Sequence, residues 1–402
     1  MKSYCSTKLD AVHSDIRGPL YLKAMEMEKQ GIKVLKINSG NPATFGHTAP
    51  ISIKNALIEG ADRAVAYCDF RGMPAARKSI CDYHKSKGIQ DITEDDIYVG
   101  NGVSELVNIA LSVLLNEGDE ILVPTPCYSL WSNCAYLVGG NPVYYMCDEA
   151  AGWFPDIDDI KSKVTSKTKA IVLINPNNPT GALYSKDLLE QIAQIAREND
   201  LMIFSDEIYD RLLFDGAVHI PMATVAPDLF VVTMNGLSKS HNICGYRCGW
   251  MLLSGPRERS AEFRLNVGKL MSMRLCAGAL PQLVIPAALD DLASTVKMVS
   301  PGGALYERRK ATLDALAECD ALKVIPNSGA LYVFPKIDPK YNITNDKDFA
   351  RELLERKHIL LVPGSGFNYP THDHFRIVML PSPEELSNAV KEIGNVLNEV
   401  FL

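Results

Sequence analysis

Between residues 97 and 254, short apolar runs rich in β-branched residues alternate with stretches of helical period. This pattern predicts strands at Ile97–Gly100, Glu120–Pro124, Pro142–Cys147, Lys169–Asn175, Leu201–Asp206, Leu229–Asn235 and Cys248–Ser254. Helices are predicted from Val103 to about Asn116, after the Pro124-Thr125-Pro126 turn to about Leu137, and from a Ser185 cap through Asn199. Lys169–Asn175 is nearly continuous in apolar character, as a strand covered on both faces requires. Strands alternating with helices of this length imply βαβ units and a mainly parallel sheet.

Beyond about residue 290 the pattern changes to an α+β one. Helices are predicted at Leu305–Cys319, Asp346–Lys357 and Ser382–Val400, with a short strand pair around Lys323–Val333 and strands at Ile359–Val362 and Phe375–Met379. The expected division is a large α/β domain over residues 48–290 and a smaller C-terminal α+β domain over 291–402. The N-terminal segment, 1–47, is expected to pack with the smaller domain. No internal repeat, low-complexity stretch or flexible linker interrupts the chain.

With 402 residues, 47% hydrophobic and 22% charged, the chain has ordinary globular usage and needs no staple to hold its core. A formal net charge of −7 argues against a nucleic-acid partner, which calls for a basic stripe. The ten cysteines form no CxxC pair, which predicts reduced, mostly buried thiols, a cytoplasmic location and no metal. His372 and His374 lack a third ligand nearby and are expected to be solvated loop residues. Met1–Asp10 shows no secretory signal and no apolar run reaches the length of a membrane span, so no membrane partner is expected.

Open α/β sheets bind ligands beyond the carboxyl ends of their strands. Three polar clusters follow predicted strands there: Asn175-Pro176-Asn177-Asn178-Pro179-Thr180-Gly181, Ser205-Asp206-Glu207-Ile208-Tyr209 and Asn235-Gly236-Leu237-Ser238-Lys239-Ser240. Each has a plain reading as well. Asn-Pro and Pro-Thr-Gly form turns, Asp206 can cap a helix, and a single lysine is usually solvated. Their order and spacing together match one cofactor site.

Ser238-Lys239-Ser240 followed by Gly245-Tyr246-Arg247-Cys248-Gly249-Trp250 resembles the lysine motif of class I/II, fold-type I aminotransferases that use pyridoxal phosphate. Asn175–Gly181 resembles that family's NPxNPTG turn, and Asp206–Tyr209 its D-E-x-Y element. The resemblance covers essentially the whole chain. Within the family, Gly100–Leu106, Asn235–Ser240, Ser272–Cys276 and Asp373–Arg376 look most similar to the bacterial glutamate–pyruvate (alanine) aminotransferases.

The resemblance implies roles for particular residues. Lys239 condenses with the cofactor aldehyde and, once displaced by an amino acid, serves as general base and acid. Asp206 keeps the ring nitrogen protonated, Tyr209 and Asn178 bond the ring oxygen, and Tyr128 stacks on the ring. Gly102, Val103 and Ser104 open a helix whose free N–H groups suit a phosphate, with Arg247 and Ser238 beside them. Many relatives carry a serine three residues before the lysine; this chain has Gly236. Tyr67 corresponds to a tyrosine that reaches the neighbouring subunit's phosphate, which implies a homodimer with shared sites. Arg376 clamps the α-carboxylate of amino-acid and 2-oxo-acid substrates, with Asn178 and the Gly40 backbone touching it. Arg17, in Asp15-Ile16-Arg17-Gly18-Pro19, is either a second candidate for recognising a carboxylate or a surface arginine. Arg274 either reads a distal carboxylate or makes a structural pair, the latter being preferred.

The activity implied is transamination between L-alanine and 2-oxoglutarate, ping-pong through pyridoxamine phosphate. Valine–pyruvate or aspartate aminotransferases and a carbon–sulfur lyase of the same fold share most of these residues and stay open. A nicotinamide dehydrogenase is disfavoured because Glu105 stands where the third glycine of the dinucleotide fingerprint belongs. No GxxxxGK[ST] or GxSxG run is present. A transcription regulator built on this fold needs an added domain and basic charge, and a silent homologue is expected to lose Lys239, Asp206 or Arg376.

Overall fold

The computed structural model describes residues 4–402; residues 1–3 of the expected N-terminal segment lie outside the described residues. Its centre is an eight-stranded sheet in the order Ile97–Asn101, Cys248–Ser254, Val231–Gly236, Met202–Asp206, Thr168–Ile174, Glu120–Thr125, Asn141–Asp148, Phe154–Pro155. The strands from Val231–Gly236 to Asn141–Asp148 run parallel, while Cys248–Ser254 is antiparallel to both of its neighbours. The sheet predicted from the apolar runs is therefore present, with strand ends shifted by a residue or two.

Alternation explains why those runs are continuous. In Thr168–Ile174, Ile171 and Leu173 enter the apolar layer on one face, while Ala170, Val172 and Ile174 enter the layer on the other. Both faces are covered by helices, so every position from Ala170 to Ile174 is apolar and buried. Helix Lys186–Glu198 shows the complementary pattern: Leu188, Leu189, Ile192, Ala193, Ile195 and Ala196 are buried, and Ser185 accepts from the Leu188 N–H as its cap.

Ile37 and strand Leu35–Lys36 join the C-terminal part of the chain. Leu35–Lys36 pairs in parallel with Ile359–Leu360, and Ile37 packs with Val333, Phe375, Ile377 and Ile393. The predicted strand Ile359–Val362 divides in two, because Val362–Pro363 leaves for an antiparallel pairing with Phe375–Val378. The strand pair expected around Lys323–Val333 does not form. Leu322–Lys323 pairs with Lys336–Ile337, and Tyr332–Val333 pairs with Phe375–Val378. The turn residues Pro326–Gly329 carry the chain from one sheet to the other instead of closing a hairpin. Helix Arg257–Met273 went unpredicted: its buried Ser260, Phe263, Val267 and Met271 make a stripe too thin to stand out among mostly polar neighbours.

His374 corrects another expectation. It is fully buried, stacked on Phe334 at 5.0 Å and bonded to Asp373 at 2.8 Å, with Glu149 3.4 Å away. Burial works against its charge, yet the two carboxylates hold its pKa above the ordinary histidine value. Its neighbour His372 is half-exposed, as expected.

Glycines set how closely the sheet meets the helix that follows Gly102. Gly249 lies opposite Gly100 and Gly236, and a Cβ on Gly249 would stand 2.5 Å from the Val103 nitrogen. A Cβ at Gly236 would meet the Cys248 carbonyl at 2.5 Å, which accounts for glycine at that position. Gly249→Ala is expected to destabilise the fold by about 1–3 kcal/mol through this overpacking. A drop in the urea midpoint with unchanged slope checks it.

Candidate active site

The parallel strands end at one edge of the sheet, and the antiparallel strand begins there. Asp206 ends its strand, Asn175 and Lys239 follow theirs closely, and Arg247 immediately precedes Cys248. Cys248 pairs with Asn101. That register brings Arg247 to the helix beginning at Val103, although the two are far apart in sequence.

A cavity of about 1040 Å³ opens at this edge, lined by Val103, Ser104, Tyr128, Asn178, Asp206, Tyr209, Ser238, Lys239, Arg247 and Arg376, and from the N-terminal segment by Arg17 and Gly40. Twelve of the expected site residues thus share one cavity wall, and Gly102 stands directly behind it. Tyr67 does not join them; it is 79% exposed at the surface. Arg274 is also elsewhere, 3.3 Å from Glu105 and bonded to the Val99 carbonyl.

Gly102 has φ +84°, and its extra freedom is required here: a Cβ would lie 2.3 Å from Arg247 Nη2. No side chain caps helix Val103–Leu114, so its first N–H groups remain free to meet an anion. Arg247 adopts φ +62° and gives Nη1 to the Cys244 carbonyl at 2.9 Å, leaving the other side of its guanidinium toward Gly102.

Asp206 is buried and receives Trp131 Nε1–H at 3.3 Å and the Ile208 N–H at 3.4 Å. No cation pairs with it among the described residues, and burial pushes its pKa up to about 6. Lys239 Nζ donates to the Gly40 carbonyl at 2.6 Å. In the Asn175–Gly181 turn, Asn175 accepts from the Tyr184 N–H and Asn177 holds Thr180, whereas Asn178 turns to the cavity. The turn reading and the site reading are therefore both true, of different asparagines.

Arg376 is 1% exposed. It donates to Asn178 Oδ1 at 2.8 Å and to the Asn38 carbonyl, and lies 4.4 Å over the Tyr332 ring and 4.7 Å over Phe367. No carboxylate pairs with it among the described residues, and its Nε has no partner. Desolvation lowers its pKa. Such a guanidinium is built for an incoming anion.

Three contributors were missed in the sequence. Tyr332, Trp131 and the Asn38 carbonyl all touch expected site residues. Tyr332 sits in an apolar run and Trp131 in a predicted helix, contexts that signal only core, though a buried Tyr or Trp needs a polar partner and that need was the available clue. A main-chain carbonyl leaves no mark on side-chain pattern.

This donor set fits pyridoxal phosphate. A buried carboxylate without a cation suits a protonated ring nitrogen, free helix N–H groups beside Arg247 suit the phosphate, and the Lys239 amine suits the aldehyde. Among the described residues no cluster suits a metal ion, and no helix is long and apolar enough to cross a membrane.

Residues 32–393 match the family model for aminotransferase class I and II. The chain is 49% identical over 395 residues to the glutamate-pyruvate aminotransferase AlaA of Haemophilus influenzae, covering 98% of each. It is 43% identical to the alanine aminotransferase of Mycobacterium bovis, covering 98% of this chain and 92% of that one. The crystal structure of an aminotransferase from Escherichia coli superposes with a TM-score of 0.98 at 45% identity over 100% of both chains. Fold and full-length similarity agree, so the chain belongs to the class I and II aminotransferases, enzymes that depend on pyridoxal phosphate.

Proposed function

We propose that the protein transfers the amino group of L-alanine to 2-oxoglutarate, forming pyruvate and L-glutamate in two half-reactions. The observation that carries this reading is Arg376, a buried cation that has no counter-ion among the described residues and faces the same cavity as Lys239. The names of the similar proteins from Haemophilus influenzae and Mycobacterium bovis support the choice of alanine.

Bound pyridoxal phosphate supplies an electrophilic carbon and a protonated ring that accepts electron density from the substrate Cα. Arg376 binds the α-carboxylate and, with Asn178, fixes which bond at Cα faces Lys239. Lys239 Nζ would act as the base that takes the proton from the substrate Cα and as the acid that gives it back. Asp206 holds the proton on the ring nitrogen, and Tyr209 donates to the ring oxygen. Gly102, Val103, Ser104, Ser238 and Arg247 hold the phosphate, and Tyr128 covers the ring. Arg17 receives the distal carboxylate of glutamate and 2-oxoglutarate, while Gly40 closes the cavity from the N-terminal side.

The same reading takes residues 48–290 as the cofactor-holding body, with 291–402 and the segment 1–47 as the smaller unit bringing Arg376 and Gly40 to it. Two copies form a homodimer in which Tyr67 reaches the partner's phosphate. Support comes from Val65, Tyr67, Leu275 and Leu280, which are all exposed, with the turn Ala61–Ala64 packed against helix Ala279–Gln282. A cytoplasmic location is supported by the scattered cysteines, five of which (Cys81, Cys127, Cys134, Cys147 and Cys248) are buried.

L-alanine alone should convert the loaded enzyme in a single turnover, with one pyruvate per site, and added 2-oxoglutarate should then return the original spectrum. Lys239→Ala should abolish both. No spectral change with L-alanine or L-glutamate, but a change with another amino acid, would overturn the alanine assignment.

Arg17→Gln should raise KM for L-glutamate and 2-oxoglutarate by about tenfold, the cost of one exposed charge-assisted contact. KM for L-alanine and pyruvate should stay within about twofold. Steady-state kinetics on both substrate pairs checks the difference.

Asp206 generates a pH prediction. Its native pKa of about 6 lies above the ordinary 3.8, so cofactor-free native protein keeps a proton that the unfolded chain releases. Stability from this group therefore falls as pH rises from about 4 to about 6. A cation on the ring nitrogen removes that loss. The stability gap between loaded and stripped protein should widen as pH rises from about 4 to about 6, by about 2–3 kcal/mol. Urea titration of both forms checks it, and Asp206→Asn should flatten the trend.

A further inference from the structure

Tyr332 is 2% exposed, and its hydroxyl lies 2.9 Å from the hydroxyl of Tyr209. The two rings meet edge to face with centroids 5.6 Å apart, so the hydroxyl contact is held by ring packing on both sides. A Cβ placed on Gly40 would be 2.6 Å from Tyr332 Oη and 3.3 Å from Lys239 Nζ. The Tyr332 hydroxyl thus borders the space between Gly40 and Lys239, on the strand that pairs with the one bearing Arg376.

Two hydroxyls in contact share one hydrogen bond, and the pair must choose which donates. The Arg376 guanidinium lies 4.4 Å over the Tyr332 ring. A cation on that face draws electron density from the phenol and makes Tyr332 the better donor. Tyr209 then accepts, and its own hydrogen is turned away from Tyr332, into the cavity. Burial keeps the Tyr209 phenol protonated, holding its pKa well above the usual range.

We propose that Tyr332 is a positioning residue that acts through Tyr209: it donates to Tyr209 Oη and aims the Tyr209 hydrogen at the phenolic oxygen of the cofactor. This inference rests on the reading that the cofactor is held at Lys239. Hydrogen bonds in series polarise one another, so Tyr209 becomes a stronger donor than a lone tyrosine. A stronger donor at the ring oxygen favours its anionic form and makes the neighbouring Lys239–cofactor nitrogen easier to deprotonate. The sequence showed Tyr332 only as part of an apolar strand.

The test is a spectrophotometric pH titration of the loaded enzyme as wild type, Tyr332→Phe, Tyr209→Phe and the double variant. Tyr332→Phe keeps the ring under Arg376 and removes only the hydroxyl. It should raise the midpoint of the lysine-bound chromophore by about 0.3–1 pH unit, a two- to tenfold change in the protonation equilibrium. Tyr209→Phe should raise it further, and Tyr332→Phe in that background should add nothing. KM for L-alanine should change less than about threefold in Tyr332→Phe, which separates a relay from a disturbed carboxylate clamp. An unmoved midpoint in Tyr332→Phe, or an equal shift with and without Tyr209, overturns the relay. Absence of any lysine-bound chromophore in the wild type sinks the relay and the reading beneath it; a normal chromophore with an unmoved midpoint sinks the relay alone.

Discussion

A buried carboxylate and a buried guanidinium face one cavity, and neither is neutralised. Asp206 lacks a cation, and Arg376 lacks an anion, among the described residues. Leaving either charge uncompensated costs several kcal/mol, so the surrounding structure must hold both in place against the tendency to pair or to reach water. Asp206 is fixed by Trp131 and by its position at a strand end between two parallel neighbours. Arg376 is fixed by Asn178, the Asn38 carbonyl and two aromatic rings. The unused pairing capacity on each side matches what a zwitterionic cofactor ring and an amino-acid carboxylate bring.

Sheet topology makes this economical. Parallel strands deliver their carboxyl ends to one edge, which collects Asp206, the Asn175–Gly181 turn and the Lys239 loop. One reversed strand then delivers its amino end to that same edge, so Arg247 meets the Val103 helix across the register of Cys248 with Asn101. The glycines at 100 and 249 let their strands approach the Val103 helix closely, and Gly236 lets its strand meet Cys248 and Gly249.

Much of this was legible in the sequence because the central strands are covered on both faces and the residues that follow them are polar. Position after a strand singles out Lys239 and Asp206, and the family resemblance adds Arg376. What was not legible depends on partners distant in the chain. Tyr332 carries a hydroxyl whose use appears only when Tyr209 is placed 2.9 Å away. Asn38 contributes through its carbonyl, which any residue type would offer. Tyr332–Val333 and Leu322–Lys323 join different sheets because their mates, near 377 and 336, win over the local hairpin. Tyr67 lies exposed at the surface, away from the cavity.

In the proposed function, the unpaired Asp206 carboxylate keeps the cofactor ring protonated. The ¹⁵N chemical shift of labelled pyridoxal phosphate bound to the enzyme tests this directly at about pH 8, well above the native pKa of the free Asp206 site. A protonated ring nitrogen is expected in the wild type and an unprotonated one in Asp206→Asn. A ring nitrogen with the same protonation in both proteins would contradict it.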